Sequence, residues 1–396
     1  MDLSDVRILD FTRLLPGPFA TQLLADLGAD VIKVEDPARG DYARDLPPLS
    51  ERGIGATFET VNRGKRSLAI DLKSDAGQET LADVLEAVDV VFEGFRPGVA
   101  ERLGIDPETV REVEPDIIYC SLTGYGRTGP LSQMVGHDLN YVGHAGLLDM
   151  TREGPDGDPQ IPGYPIADMA GGLFCAFAVM AGLLSRELGG GGATIDVGMS
   201  EVVTAFAQQL VPSVLAGEEP RPGATRLTGR LPWYDVYEAK DGEFLTVAAL
   251  EPQFWEAFCE AVGREDLIEY HGTTDPAELE ALRGELSELF ASKPRDRWLA
   301  ILQDVDSATG PVLTLEDWLD HPQSRVRELV VGEEASDGAR APRIGFPGLV
   351  DGVRPTEEGS LPALGEDSRA VLRELGIRPE RIDELVAAGV VADSPD

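Results

Sequence analysis

The sequence predicts an α/β protein: a doubly wound, mostly parallel sheet with a smaller α+β region after it. Three observations point there. Short apolar β-runs alternate with helix-period segments as far as Val197, the pattern that parallel strands joined by crossover helices leave in a chain. The 396 residues exceed one small core, and 42% apolar content is ample for burial. A Pro-, Gly- and charge-rich break at 217–229 divides the chain, and a hairpin signal follows it.

Residues 6–10 read as the first strand, and Pro16-Gly17-Pro18 as a break before helical spacing over 19–27, which stops at Gly28. Strands follow at 31–35 and 68–71, then a helix over 74–88 with Ser74 as its N-cap. Further β-runs lie at 90–92 and 117–121. A helix is expected over 138–148, and a loop over 151–164, which holds three Pro and three Gly. A long apolar helix over 168–188 turns at Gly189–Gly192 into a strand over 193–197, and another helix covers 200–216. Residues 233–238 and 243–248 form a hairpin around Asp241-Gly242. Helices near 252–262, 276–291 and 294–303 complete the smaller region, and helices near 366–375 and 379–388 close the chain.

The charge is extreme. Asp and Glu number 71 against 34 Lys and Arg, a net charge of −37, and only 5 of the bases are Lys. The acids are interleaved with regular apolar periodicity rather than gathered in a tail. Self-repulsion of that size weakens a fold in dilute salt and is screened in brine, where the Debye length is about 3 Å at 1 M. A salt-rich cytoplasm is the expected setting. Nucleic acid is disfavoured as a partner, since phosphate backbones need a basic face. No run of about 18 uncharged apolar residues is present, so no membrane span is expected, and no secretory pattern opens the chain. The three cysteines, Cys120, Cys175 and Cys259, have no metal-site spacing and are expected as buried free thiols.

Gly136-His137-Asp138 and, 31 residues after His137, Asp168 in Pro165-Ile166-Ala167-Asp168 carry the chemistry. Imidazole and carboxylate are well suited to move a proton near neutral pH. Helix amides near His137 or Asp168 are expected to hold an oxyanion. Asp168 also invites the plainer role of helix N-cap. Arg39, Arg63, Lys65, Arg66, Arg96 and Arg102 concentrate bases between 39 and 102. Bases kept in so acidic a chain point to a fixed anionic partner, and guanidinium forks match phosphate; pairing with surface carboxylates is the alternative.

Several segments resemble the family III CoA-transferases, the superfamily that includes the α-methylacyl-CoA racemases. They are Asp10-Phe11-Thr12-Arg13-Leu14-Leu15-Pro16-Gly17-Pro18 with Leu27-Gly28-Ala29-Asp30, Asn62-Arg63-Gly64-Lys65-Arg66, Glu93-Gly94-Phe95-Arg96-Pro97-Gly98, Ser121-Leu122-Thr123-Gly124-Tyr125-Gly126, and the two segments holding His137 and Asp168. The resemblance implies an interlocked homodimer. It also implies a large Rossmann-like domain built from both chain ends (1–216 and 335–396), a linker at 217–229 and a small domain at 230–334. It implies an acyl-CoA substrate, with no metal and no cofactor beyond the CoA that the substrate carries. Arg96 becomes the leading phosphate contact. Beside that resemblance, the turns at Gly124-Tyr125-Gly126 and Gly136 let backbone approach the pantetheine arm, and Tyr141 is a candidate for the acyl pocket.

Under the same resemblance Asp168 serves either reaction: as a proton-transfer group in the racemases, or as the nucleophile that passes through an anhydride to an aspartyl-CoA thioester in the transferases. His137 and the segment 247–255, whose Glu251 supports the histidine, resemble the racemase branch. The expected activity is epimerisation of 2-methylacyl-CoA thioesters, with CoA transfer between carboxylic acids as the alternative.

Overall fold

The computed structural model describes residues 2–152, 154, 156–332, 343–356 and 359–393. Among them twelve strands form: β1 (Arg7–Asp10), β2 (Asp30–Glu35), β3 (Arg66–Ile70), β4 (Val90–Glu93), β5 (Ile118–Thr123), β6 (Ala193–Gly198), β7 (Tyr234–Glu238), β8 (Phe244–Ala248), β9 (Thr309–Pro311), β10 (Val330–Val331), β11 (Arg343–Ile344) and β12 (Val391–Ala392). The chain divides into two compact units. The first comprises Met1–Leu147, Pro162–Ala207 and Pro322–Asp396; the second comprises Leu148–Ile161 and Gln208–His321. The segment 217–229, expected as a linker, lies within the second unit. The expected limit at 335 lies outside the described residues.

The first unit is built on a seven-stranded sheet in the order β12-β3-β2-β1-β4-β5-β6. Its first six strands in sequence pair in parallel, and β12 closes the β3 edge antiparallel. Leu9, Ile32, Leu68, Val91 and Tyr119 are fully buried in its core, and Val371, Leu372, Ile382 and Leu385 from the far end of the chain belong to the same cluster. The strand order reverses between β1 and β4. A crevice opens at the carboxyl ends of strands at such a point, and open α/β sheets bind ligands there.

Four local features differ from the sequence reading. Pro16-Gly17-Pro18 does not precede the first helix but forms its first turn, Pro16–Asp26; first-turn amides have no intrahelical acceptor, so proline loses nothing there. The helix expected over 138–148 stops at His144, with Gly146 at φ 80°, and resumes at Leu147–Met150. The helix expected over 200–216 is three short pieces, Met199–Ala205, Phe206–Gln209 and Val211–Leu215, because Pro212 can only begin a helix.

The long helix Ile166–Ser185 starts two residues early. Extended to Gly190, it is long and apolar enough to cross a membrane by length and composition, which the sequence reading had not credited. Its Ala167, Gly171, Gly172, Cys175, Val179 and Gly182 are buried, as the core helix of a globular unit requires. Leu173, Phe174, Phe177 and Leu184 leave an exposed apolar stripe.

The second unit has a three-stranded antiparallel sheet, β7-β8-β9. The expected hairpin turn is present: Gly242 sits at φ 82°, and the Ala239 amide donates to the Glu243 carbonyl at 2.7 Å. Trp233, Tyr237, Trp255, Phe258, Phe290 and Trp298 form its core. Two of these indoles donate to carbonyls, Trp255 Nε1 to that of Leu267 (3.0 Å) and Trp298 Nε1 to that of Phe290 (2.9 Å).

Candidate active site

The crevice is shaped by the loop after β1, which stands on buried charges. Asp10, Lys33, Asp41 and Lys65 are essentially inaccessible to solvent. Lys65 Nζ lies 3.1 Å from Asp10 Oδ2, and Lys33 Nζ 3.1 Å from Asp41 Oδ2. Burial alone would raise the Asp10 carboxyl, but the Lys65 and Lys33 ammoniums and the Thr12 and Thr21 hydroxyls outweigh it and hold the pKa at about 2. Lys33 donates to the Thr12 carbonyl at 2.9 Å, and Asp41 accepts from the Leu14 amide at 3.1 Å. These bonds bracket Arg13 and hold Leu14 at φ 65°, a conformation that costs a side-chain-bearing residue energy and needs such support.

Two adjoining cavities share Phe11, Thr12, Arg13, Phe95 and Val99 as walls. One, about 530 Å³, lies over the ends of β2 and β3 and is also lined by Gly40, Lys73 and Arg102. The other, about 350 Å³, takes in Arg96, Tyr125, Gly136, His137, Tyr141 and Asp168. The guanidinium carbon of Arg13 stands 5.0 Å from the Phe95 ring centre and 5.8 Å from that of Tyr42. Neither Arg13 nor Arg96 has a carboxylate partner among the described residues.

His137 is exposed and precedes the short helix Asp138–His144, where its amide donates to Asn140 Oδ1 at 3.1 Å. Asp168 is half-buried in the first turn of Ile166–Ser185. The pairing of these helices is set by Asp138, whose Oδ1 accepts from the Ala167 amide at 2.7 Å and the Asp168 amide at 3.1 Å. Those two amides are thus engaged, and the expected oxyanion role does not fall to them. Burial, and secondly the Asp138 carboxylate, raise the Asp168 carboxyl to about 7.

The Tyr141 hydroxyl donates to the Gly136 carbonyl at 2.5 Å, and its ring meets Tyr125 edge-on at 5.2 Å. A Cβ on Gly124 would fall 2.2 Å from the Tyr141 ring and one on Gly136 2.7 Å from it, so both positions need glycine.

Four of the expected phosphate contacts do not line either cavity. Arg63 pairs with Glu59 at 2.6 Å one helical turn away. Lys65 is consumed by Asp10, Thr21, Asn62 and the Pro18 carbonyl. Arg66 pairs with Asp30 and Glu374. Arg39 packs over Tyr42, 5.9 Å from its ring centre. The first three all pair with carboxylates, but Arg63–Glu59 and Lys65–Asp10 are buried pairs and not the surface pairs of the alternative. Glu251 belongs to the second unit, where it precedes the helix Pro252–Val262.

Arg13 and Lys73, which line the cavities, and Asp138 were not singled out from the sequence; Lys73 is already paired, with Asp36 at 2.6 Å. Arg13 and Asp138 stand inside the quoted motifs; only the fold reveals that one is bracketed by buried charges and the other caps a helix 29 residues away.

The chain matches the family model described as CoA-transferase family III over residues 3–368. It is 33% identical to an alpha-methylacyl-CoA racemase of Mus musculus, over 99% of this chain and 98% of that protein. It is also 33% identical to a succinyl-CoA:glutarate CoA-transferase of Mus musculus, over 98% of this chain and 90% of that protein. Among solved structures, a CAIB/BAIF family protein from Brucella suis superposes with a TM-score of 0.79 at 30% identity, covering 93% of this chain and 98% of that one.

Proposed function

This chain belongs to CoA-transferase family III, and on that premise we propose that it epimerises 2-methylacyl-CoA thioesters by removing and returning the α-proton. The observation that carries this reading is that His137 and Asp168 line one cavity. A thioester α-proton is weakly acidic, so inversion needs a base on each face of the carbon and a stabilised enolate between them. One group takes the α-proton and leaves a planar enolate; the other, protonated beforehand, delivers its own proton to the opposite face. An Asp168 carboxyl near 7 is matched to an imidazole for that exchange.

The adenosine phosphates of CoA lie in the larger cavity beside Arg102, with Arg13 and Arg96 toward the thioester. No metal or further cofactor takes part. The protein works as an interlocked homodimer, with the apolar stripe of Leu173, Phe174, Phe177 and Leu184 covered by the second copy.

The test is incubation with a single enantiomer of a 2-methylacyl-CoA in deuterated water with no acceptor acid. Loss of optical purity together with α-deuterium incorporation is expected; an inert substrate under those conditions would overturn the reading. A second reading, CoA transfer, is favoured by the transferase relative at the same identity as the racemase and by two unpaired arginines suited to a substrate carboxylate. There the Asp168 carboxylate attacks the thioester carbonyl and expels CoA thiolate, leaving a mixed anhydride. The thiolate then attacks the Asp168 carbonyl and releases the first acid, leaving an aspartyl-CoA thioester. An acceptor carboxylate attacks that thioester and expels the thiolate, which attacks the acceptor's carbonyl in the new anhydride and frees Asp168. Activity would appear only when a free acid is added, and hydroxylamine would trap the intermediate on Asp168.

A further inference from the structure

We infer that Asp138 is a positioning residue for Asp168, taking the two backbone amides that open the long helix and holding a second carboxylate beside the acid. This rests on the reading of Asp168 as a proton-transfer group. A carboxylate in the first turn of a helix is ordinarily stabilised as the anion by free amides and the positive end of the macrodipole. At Asp168 those amides are committed elsewhere: its own N–H and that of Ala167 both point to Asp138 Oδ1, at 3.1 Å and 2.7 Å.

Asp138 has no cationic partner among the described residues, so no ion pair offsets its carboxylate next to Asp168. The remaining charged and titratable groups of the cavity wall are Arg13, Arg96, His137, Tyr42, Tyr125 and Tyr141. Of these, the Tyr141 hydroxyl is committed to the Gly136 carbonyl. Chain connectivity adds the second half of the device. Asp138 follows His137 directly, so the bond that fixes Asp138 to the long helix also fixes the segment carrying the imidazole against the helix carrying the acid. One carboxylate thereby sets both where Asp168 stands relative to His137 and how readily Asp168 keeps its proton.

The test is a carbon-13 titration of aspartate carboxyls in the whole protein, with the Asp168 signal assigned by its loss in Asp168→Asn. Asp138→Asn and Asp138→Ser keep a neutral acceptor for the two amides and remove the charge. Each is expected to lower the proton affinity of Asp168 about tenfold, and Asp138→Glu to restore it. The pH profile of α-deuterium exchange should move to lower pH by the same factor, while thermal melting confirms that the variants fold. An Asp168 titration unchanged in folded Asp138→Asn and Asp138→Ser would overturn the inference. A titration that moves in a protein showing no α-exchange would uphold the role of Asp138 and sink the epimerase reading instead.

Discussion

Two carboxylates of the first unit are shifted in opposite directions, and the difference is what each touches. Asp10 faces two ammoniums and two hydroxyls that outweigh its burial. Its ionisation favours the fold above the ordinary carboxylate pKa of 3.8, a contribution lost as pH falls through about 2. Burial acts the other way on its partner Lys65 and pulls that ammonium down to about 8. Asp168 faces burial and another carboxylate. Its pKa of about 7 against an ordinary 3.8 means that the folded chain binds this proton more tightly than the unfolded one, so stability falls as pH rises across that window. Asp168→Asn is therefore expected to abolish turnover yet raise the melting temperature at pH 8 by about 2–4 °C or more, with little change at pH 4. Melting curves at the two pH values check it. The motif around Asp168 was legible in the sequence, but its ionisation was not, because that depends first on burial and then on a carboxylate brought in from another helix.

Among the elements, the contact between the helix Pro16–Asp26 and the helix Ile166–Ser185 decides where the cavity floor lies. A Cβ on Gly172 would fall 2.4 Å from the Pro16 carbonyl oxygen and 3.0 Å from the Phe19 ring. Gly172→Val must push the first helix away, carrying the loop of Thr12, Arg13 and Leu14 with it. Overpacking of this kind costs about 1–3 kcal/mol. Urea unfolding should show that loss, and the KM for acyl-CoA should rise because Arg13 moves. The strands expected from the sequence lie within about two residues of those seen, since alternation of apolar β-runs with helices is a local signal, whereas the short β9, β10, β11 and β12 were not anticipated. Helix ends were read less well at Pro16 and Pro212. Proline breaks a helix interior but favours a first turn, and which of the two applies depends on where the preceding residues pack.

For the whole molecule, a net charge of −37 and the exposed apolar stripe make opposing demands. Like charges drive copies apart in dilute salt, whereas burying Phe174 and Phe177 draws them together. Circular dichroism and sedimentation along a potassium chloride series are expected to show helix content and dimer mass rising together toward molar salt. A fully folded dimer in millimolar buffer would count against both the salt adaptation and the assembly proposed here.

Composition, alternation and the quoted motifs by themselves determined the α/β class, the family resemblance and the His137–Asp168 pair, because each is written in neighbouring residues. The tertiary structure alone decided which bases are free to meet an anion. Arg63, Lys65 and Arg66 looked no different in sequence from Arg13 and Arg96, yet carboxylates brought against them by the fold absorb the first three and leave the other two facing the crevice. Partner choice by a charge depends on distance through space, and sequence spacing carries almost none of that information.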